Sequence, residues 1–197
     1  MANTKISRKE LQPLEITCKS ADCEAGLHCF KQHKKEMMLF NKGSCVYCGV
    51  GLVDWSRIHK KNYSDIEYVF NSLKFEYYRH HYWHKEIDQK AINHALRKGR
   101  RKMKDAAEKR IRTSIGPAQP FHDGWQTGKE GNILFYAQHA TATCCRKCLN
   151  YWHGIPLGRE LSDGEIEYFS NLIMRFVDDR MPNLPEGPTH VPPIRRK

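Results

Sequence analysis

Residues 138–156, QHATATCCRKCLNYWHGIP, place three cysteines between two histidines: His139, then Cys144, Cys145 and Cys148, then His153. Thiolate sulfur and imidazole nitrogen are soft donors, and five of them this close together is the chemistry of a bound metal ion. Cys145-x2-Cys148-x4-His153 matches the first three ligands of a zinc-knuckle spacing. His139, Cys144 or a cysteine from the N-terminal part of the chain would supply the fourth. On a helix over 143–153 that stops at Gly154, Cys144 and Cys148 share a face at i, i+4, and Cys145 and Cys148 share one at i, i+3. A thiolate pair with one histidine and an open fourth position would be a catalytic zinc, whereas four protein ligands close the ion into a structural role. The competing reading buries Cys144 and Trp152 in a core and leaves His153 at the helix end.

A second set lies near the N-terminus: Cys18-x4-Cys23, then Cys45-x2-Cys48 followed by Gly49. A glycine after Cys-x2-Cys permits the backbone turn that aims both sulfurs at one ion. Cys18, Cys23, Cys45 and Cys48 therefore form a candidate four-sulfur zinc site, with His28, Cys29 and His33 between the pairs as substitutes. The expectation is one or two zinc ions, although clustered thiolates accept iron too. Eight cysteines would equally suit four disulfides in an oxidising compartment. The N-terminus MANTKISRKELQ lacks the apolar segment of an export signal, and no apolar run reaches the length of a membrane span. A soluble, cytoplasmic protein with reduced, metal-binding thiols is expected.

Positioning these ligands falls to the surrounding elements. Residues 14–55 alternate short apolar pieces with turns such as NKGS and CGVG, a pattern that predicts short strands and hairpins around a metal. Over 64–83, Ser64 and Glu67 stand in capping-box spacing and Ile66, Val69, Phe70, Leu73 and Tyr77 recur at helical period, predicting one amphipathic helix. A second helix is predicted over 86–113, bent at Gly99, followed by a loop over 116–132. ILFYAQHA, 133–140, reads as a strand that delivers Gln138 and His139 at its end. Ser162 and Glu165 open a closing helix that ends before Pro182, and the Pro-rich tail is expected to be extended. The fold expected is α+β: zinc-stabilised, with short strands and several amphipathic helices. Its parts are a four-cysteine module over 1–60, a basic helical region over 61–115, a Cys/His motif domain over 116–182, and a tail over 183–197.

The chain carries 33 Lys+Arg against 22 Asp+Glu, a net charge of +11, which favours a polyanionic partner through phosphate contact and counterion release. The densest run is Arg97, Lys98, Arg100, Arg101, Lys102 and Lys104, uninterrupted by any acid. These six are the candidate nucleic-acid contacts, against the plainer reading of a solvated helix face. Nearby, HDGWQT offers His122, Asp123, Gln126 and Thr127. A histidine and a carboxylate on a glycine-containing loop would serve as base and orienter, with His139 beside them, although Asp-Gly also occurs simply to make turns.

From HDGWQT through AQHATATCCRKCLNYWHGIPLGRELSDGEIEYFSNLIMRF, about residues 122–181, the chain resembles an uncharacterised bacterial family known as a domain of unknown function. That family is marked by DG-x-QT, AQHATATCCR-x-C and WH-x-IP. The resemblance implies that Asp123, Gln126, Thr127, His139, Cys144, Cys145, Cys148 and His153 are motif positions, and it implies no activity. Its loop continues as QTP in the family and as QTGKEGN here, and the N-terminal 120 residues lie outside the likeness. Zinc-stapled HNH nucleases also frame a histidine with Cys-x2-Cys pairs, but His139 precedes Cys145 too closely for their hairpin and helix. The leading expectation is a zinc-binding, basic protein that binds nucleic acid. The alternatives are a metal-dependent hydrolase or nuclease acting through His122, Asp123, Gln126 and His139, and an interaction subunit docked on an acidic protein partner.

Overall fold

The computed structural model describes residues 15–32, 42–121 and 125–194. The expected α+β class is overturned: helix takes 51% of the chain and strand 2%, and no sheet is present among the described residues. Seven α-helices among those residues carry the fold: α1 (Trp55–Lys60), α2 (Ile66–Leu73), α3 (Tyr77–His84), α4 (Gln89–Ser114), α5 (Ile133–Ala140), α6 (Arg146–His153) and α7 (Asp163–Arg180). Among its described residues the N-terminal cysteine segment contributes turns and two isolated bridges, Asp22 with Leu27 and His28 with Glu76, in place of named strands.

The segment read as a strand, 133–140, is α5. Asn132 caps it, its side chain accepting from the Leu134 amide at 2.9 Å. Every residue of α5 except Phe135 is buried. A helix covered on all sides shows no amphipathic period, so its apolar run looks like that of a buried strand. The single helix expected over 64–83 is two. Ser64 falls in a 3-10 turn, Tyr63–Asp65, and forms no capping box with Glu67. The chain then extends at Glu76 (φ −88°, ψ 124°) before α3 begins. The cause is a distant partner: the His28 amide donates to Phe75 O at 2.7 Å and the Tyr77 amide to His28 O at 2.9 Å. A backbone pairing from the N-terminal segment thus occupies the gap between α2 and α3.

The expected bend in α4 is present. Gly99 sits at φ 67°, ψ 167°, a conformation essentially confined to glycine. The tail crosses there: the amides of Arg100 and Arg101 donate to Pro185 O (2.8 Å) and Glu186 O (3.2 Å), and a Cβ on Gly99 would stand 2.3 Å from the Gly187 carbonyl. Gly99→Ala is expected to cost about 1–3 kcal/mol from the backbone conformation alone, lowering Tm by roughly 2–12 °C. Thermal melting checks this, and an unchanged Tm would contradict the close crossing.

Ser162 and Glu165 do form a capping box, the Glu165 amide donating to Ser162 Oγ at 3.2 Å and the Ser162 amide to Glu165 Oε2 at 3.0 Å. Behind that start α7 buries nine side chains and packs on α4 and α5, while α3 packs on α5. One core runs from Cys18 to Leu184. Phe30 and Trp55 meet the fully buried Trp152 of α6 at ring distances of 6.0 and 5.0 Å, seating the N-terminal segment on the helical body. No helix among the described residues is long and apolar enough to cross a membrane.

Candidate metal centres

The first cluster is built by two tight turns. Gly49 takes φ 74°, its amide donates to Cys45 O at 2.9 Å, and the Cys45 amide donates to Val50 O at 2.9 Å. That turn points the amides of Tyr47 and Cys48, with the amide of Cys29, at the Cys45 sulfur. Burial opposes ionisation of Cys45, but these amides outweigh it and hold the thiol down at about 6. The other turn pairs Asp22 with Leu27 in both directions (2.7 and 2.8 Å) and brings Cys23 and His28 to the same place. Cys23, His28, Cys45 and Cys48 have donor atoms all within 4.8 Å of one another and could hold a metal ion. Cys23 Sγ lies 3.7 Å from Cys45 Sγ, and Cys48 Sγ lies 3.5 Å from His28 Nδ1. Zinc–sulfur bonds near 2.3 Å put tetrahedral neighbours about 3.8 Å apart, so the donor set fits that ion.

Cys18 is not in this cluster, and neither is Cys29. The Cys29 thiol donates to Cys18 O at 3.3 Å, and burial pushes it up to about 12. His33 lies outside the described residues.

Cys144, Cys145 and Cys148 form the second cluster, all buried, with sulfurs within 4.8 Å of one another. Cys145 is the N-cap of α6 and Gly154, at φ 67°, closes that helix as the spacing requires. Cys144 Sγ and Cys148 Sγ are 3.5 Å apart. Hydrogen bonds from Cys144 and Cys148, with the Cys148 amide behind them, hold the Cys145 thiol down at about 3.

Against the sulfurs stands Arg79, fully buried. Its Nη2 donates to Cys148 Sγ at 3.2 Å and to Tyr151 Oη at 2.9 Å, and its Nη1 reaches His139 O at 2.7 Å and Cys144 Sγ at 3.8 Å. Arg79 Nε pairs with Glu76 Oε2 at 2.8 Å. Glu76, also fully buried, accepts from Tyr151 Oη (2.7 Å) and Trp152 Nε1 (2.6 Å). Burial alone would discharge Arg79, but Tyr151, Cys148 and Glu76 keep it firmly protonated. No motif marks Glu76 or Arg79. Their signal is an acid and a base three apart inside the aromatic run FEYYRHHYW.

The two motif histidines do not join the sulfurs. His139 stacks on Tyr82 at 4.2 Å, its Nε2 donates to Thr127 O at 3.2 Å, and its Nδ1 lies 3.4 Å from Tyr78 Oη. His153 Nε2 donates to Thr141 O at 2.9 Å, while its Nδ1 has no partner among the described residues. Burial holds both rings neutral, near 3. Gln126 spans the edge of the cluster: its Nε2 donates to Cys18 Sγ at 3.1 Å and its Oε1 accepts from Tyr78 Oη at 3.2 Å. The Thr127 amide donates to Cys144 O at 3.1 Å and its hydroxyl accepts from Arg110, fixing this loop to the cysteines. His122 and Asp123 lie outside the described residues.

The cationic run on α4 divides. Arg100 is bidentate on Asp178 (2.8 and 2.8 Å), and Arg97 reaches Val191 O and Pro192 O of the tail. Arg101, Lys102 and Lys104 are exposed and Lys98 partly so, with no ion pair among the described residues. Lys90, His94, Arg97 and Lys98 line a groove of about 640 Å³ whose lining holds no acid among the described residues.

A model of the family described as Domain of unknown function (DUF4186) matches residues 67–178, more than half of the chain. The match takes in α3 and α4 as well as the cysteine motif of 144–148, and it leaves the first cluster outside. No solved structure matches the chain.

Proposed function

The chain belongs to the DUF4186 family, and we propose that it is a zinc-braced protein that binds nucleic acid along α4. In this reading the ions hold the N-terminal segment on the helical body, and the phosphate backbone lies across the cationic face of α4. The supporting observation is the groove of Lys90, His94, Arg97 and Lys98, whose lining holds no acid among the described residues; Arg101, Lys102 and Lys104, exposed beyond the Gly99 bend, add to the positive charge of the same helix. Helical spacing puts Lys90, His94 and Lys98 on one face, so they would meet one strand of phosphates together. Arg100 contributes less, since Asp178 and Glu186 already neutralise it.

Binding to unrelated DNA and RNA sequences should fall linearly with the logarithm of salt concentration, without turnover of either. Lys90→Ala combined with Lys98→Ala should lower that slope by about 2, about one for each phosphate no longer neutralised, with zinc content unchanged. Absence of salt-dependent affinity for both polymers, together with a tight stoichiometric protein partner, would replace this reading with that of an interaction subunit.

A further inference from the structure

We propose that Cys18 is the fourth ligand of the second cluster, making it a closed four-sulfur zinc site shared between the N-terminal segment and the family domain. The inference rests on the zinc part of the reading above and is independent of nucleic acid.

Four observations converge on it. Cys18 is 7% exposed, its thiol interacts with that of Cys148 at the edge of the three-sulfur group, and the Gln126–Thr127 loop bridges the two, Gln126 Nε2 donating to Cys18 Sγ at 3.1 Å and the Thr127 amide to Cys144 O at 3.1 Å. The first cluster reaches four donors without it, through His28, whereas the second has only three cysteines. The histidines nearest in sequence to the second cluster stand outside its donor group: His139 is held between Thr127 and Tyr78, and His153 donates through Nε2 to Thr141 O. Finally, the sulfurs of this group are met by charged and amide N–H donors: Gln126 on Cys18, Arg79 on Cys148 and Cys144. Such donors stabilise thiolates held on a metal far more than neutral thiols. Four thiolates on a divalent zinc leave two negative charges, and Arg79 lies where it offsets them.

Segment 18–28 would then serve both ions, Cys18 at one and Cys23 and His28 at the other. Within the family match the three cysteines leave one coordination position, and a residue outside the match fills it. The filled position removes the open site that zinc-assisted hydrolysis requires.

The test uses the full chain purified without added metal. X-ray absorption on the wild-type protein should give seven sulfurs and one nitrogen over two zinc ions. Cys18→Ala should retain the first ion and release the second to a chelator at least 100-fold more readily, and in cobalt-loaded protein it should weaken the four-sulfur bands. Cys23→Ala should do the reverse, giving up the first ion. Two ions per chain with six sulfurs, or a Cys18→Ala protein that keeps both ions as tightly as wild type, would overturn the proposal while leaving zinc binding intact. Fewer than two ions in the wild-type protein would overturn the zinc reading itself and this inference with it.

Discussion

Arg79→Met is expected to destabilise the protein by about 3–5 kcal/mol, the cost of removing one partner from a buried ion pair. Arg79 and Glu76 have side chains only 0% and 1% exposed, so water cannot screen what is left behind. The substitution strands the Glu76 carboxylate among Tyr151 and Trp152 and removes the donors that face Cys148 and Cys144. Methionine nearly fills the volume, so loss of charge and hydrogen bonds dominates over cavity formation. Urea denaturation at fixed zinc concentration measures the loss. The double change Arg79→Met with Glu76→Gln should cost less than the sum of the single changes, because neither then leaves an uncompensated charge. Strict additivity would show that the pair is not coupled as its geometry implies.

In the zinc-braced reading proposed above, removal of the ions should have the larger effect. Structural zinc is worth about 10–16 kcal/mol in small finger peptides, comparable with the whole stability of a typical domain, about 5–15 kcal/mol. Residues 15–32 and 42–50 have turns and two isolated bridges to hold them, while α4, α5 and α7 have a continuous core. Chelation should therefore release the N-terminal segment first, seen as rapid hydrogen exchange there while α5 and α7 stay protected longer. Unchanged exchange after verified zinc loss would contradict the structural role. Acid should act in the same direction. Cys45 has a folded value of about 6 against an ordinary 9.0, so its contribution is full above the higher value and is lost as pH falls through about 6. Metal release adds to this, because every thiolate ligand must take up a proton to leave.

What the sequence shows and hides follows from whether the cause is local. The Ser162–Glu165 box and the stop at Gly154 depend on neighbouring residues and are legible in a short window, and the glycine at 99 marks the bend, although the tail residues 185–187 that cross there lie far along the chain. α5 is not, because burial on every side erases the period that separates helix from strand. The gap between α2 and α3 is hidden for another reason: its cause is His28, far back along the chain. Ligand grouping behaves likewise. Spacing associates Cys18 with Cys23, whereas the folded chain seats His28 beside Cys23 and lays Cys18 against Cys148. Motif spacing gives no guide to Glu76 and Arg79, which sit in an aromatic run and become a site only when α3 meets α6.

The pairing of His28 with Phe75 and Tyr77 has a colloidal consequence. If residues 15–32 detach, the Phe75 carbonyl and Tyr77 amide lose their His28 partner, and the ring surfaces of Trp152 and Trp55 that met Phe30 become wet. Unpaired backbone groups beside a greasy patch are adhesive between molecules, so in the zinc-braced reading demetallated protein should clump in proportion to its concentration, and zinc availability would set its solubility as well as its shape.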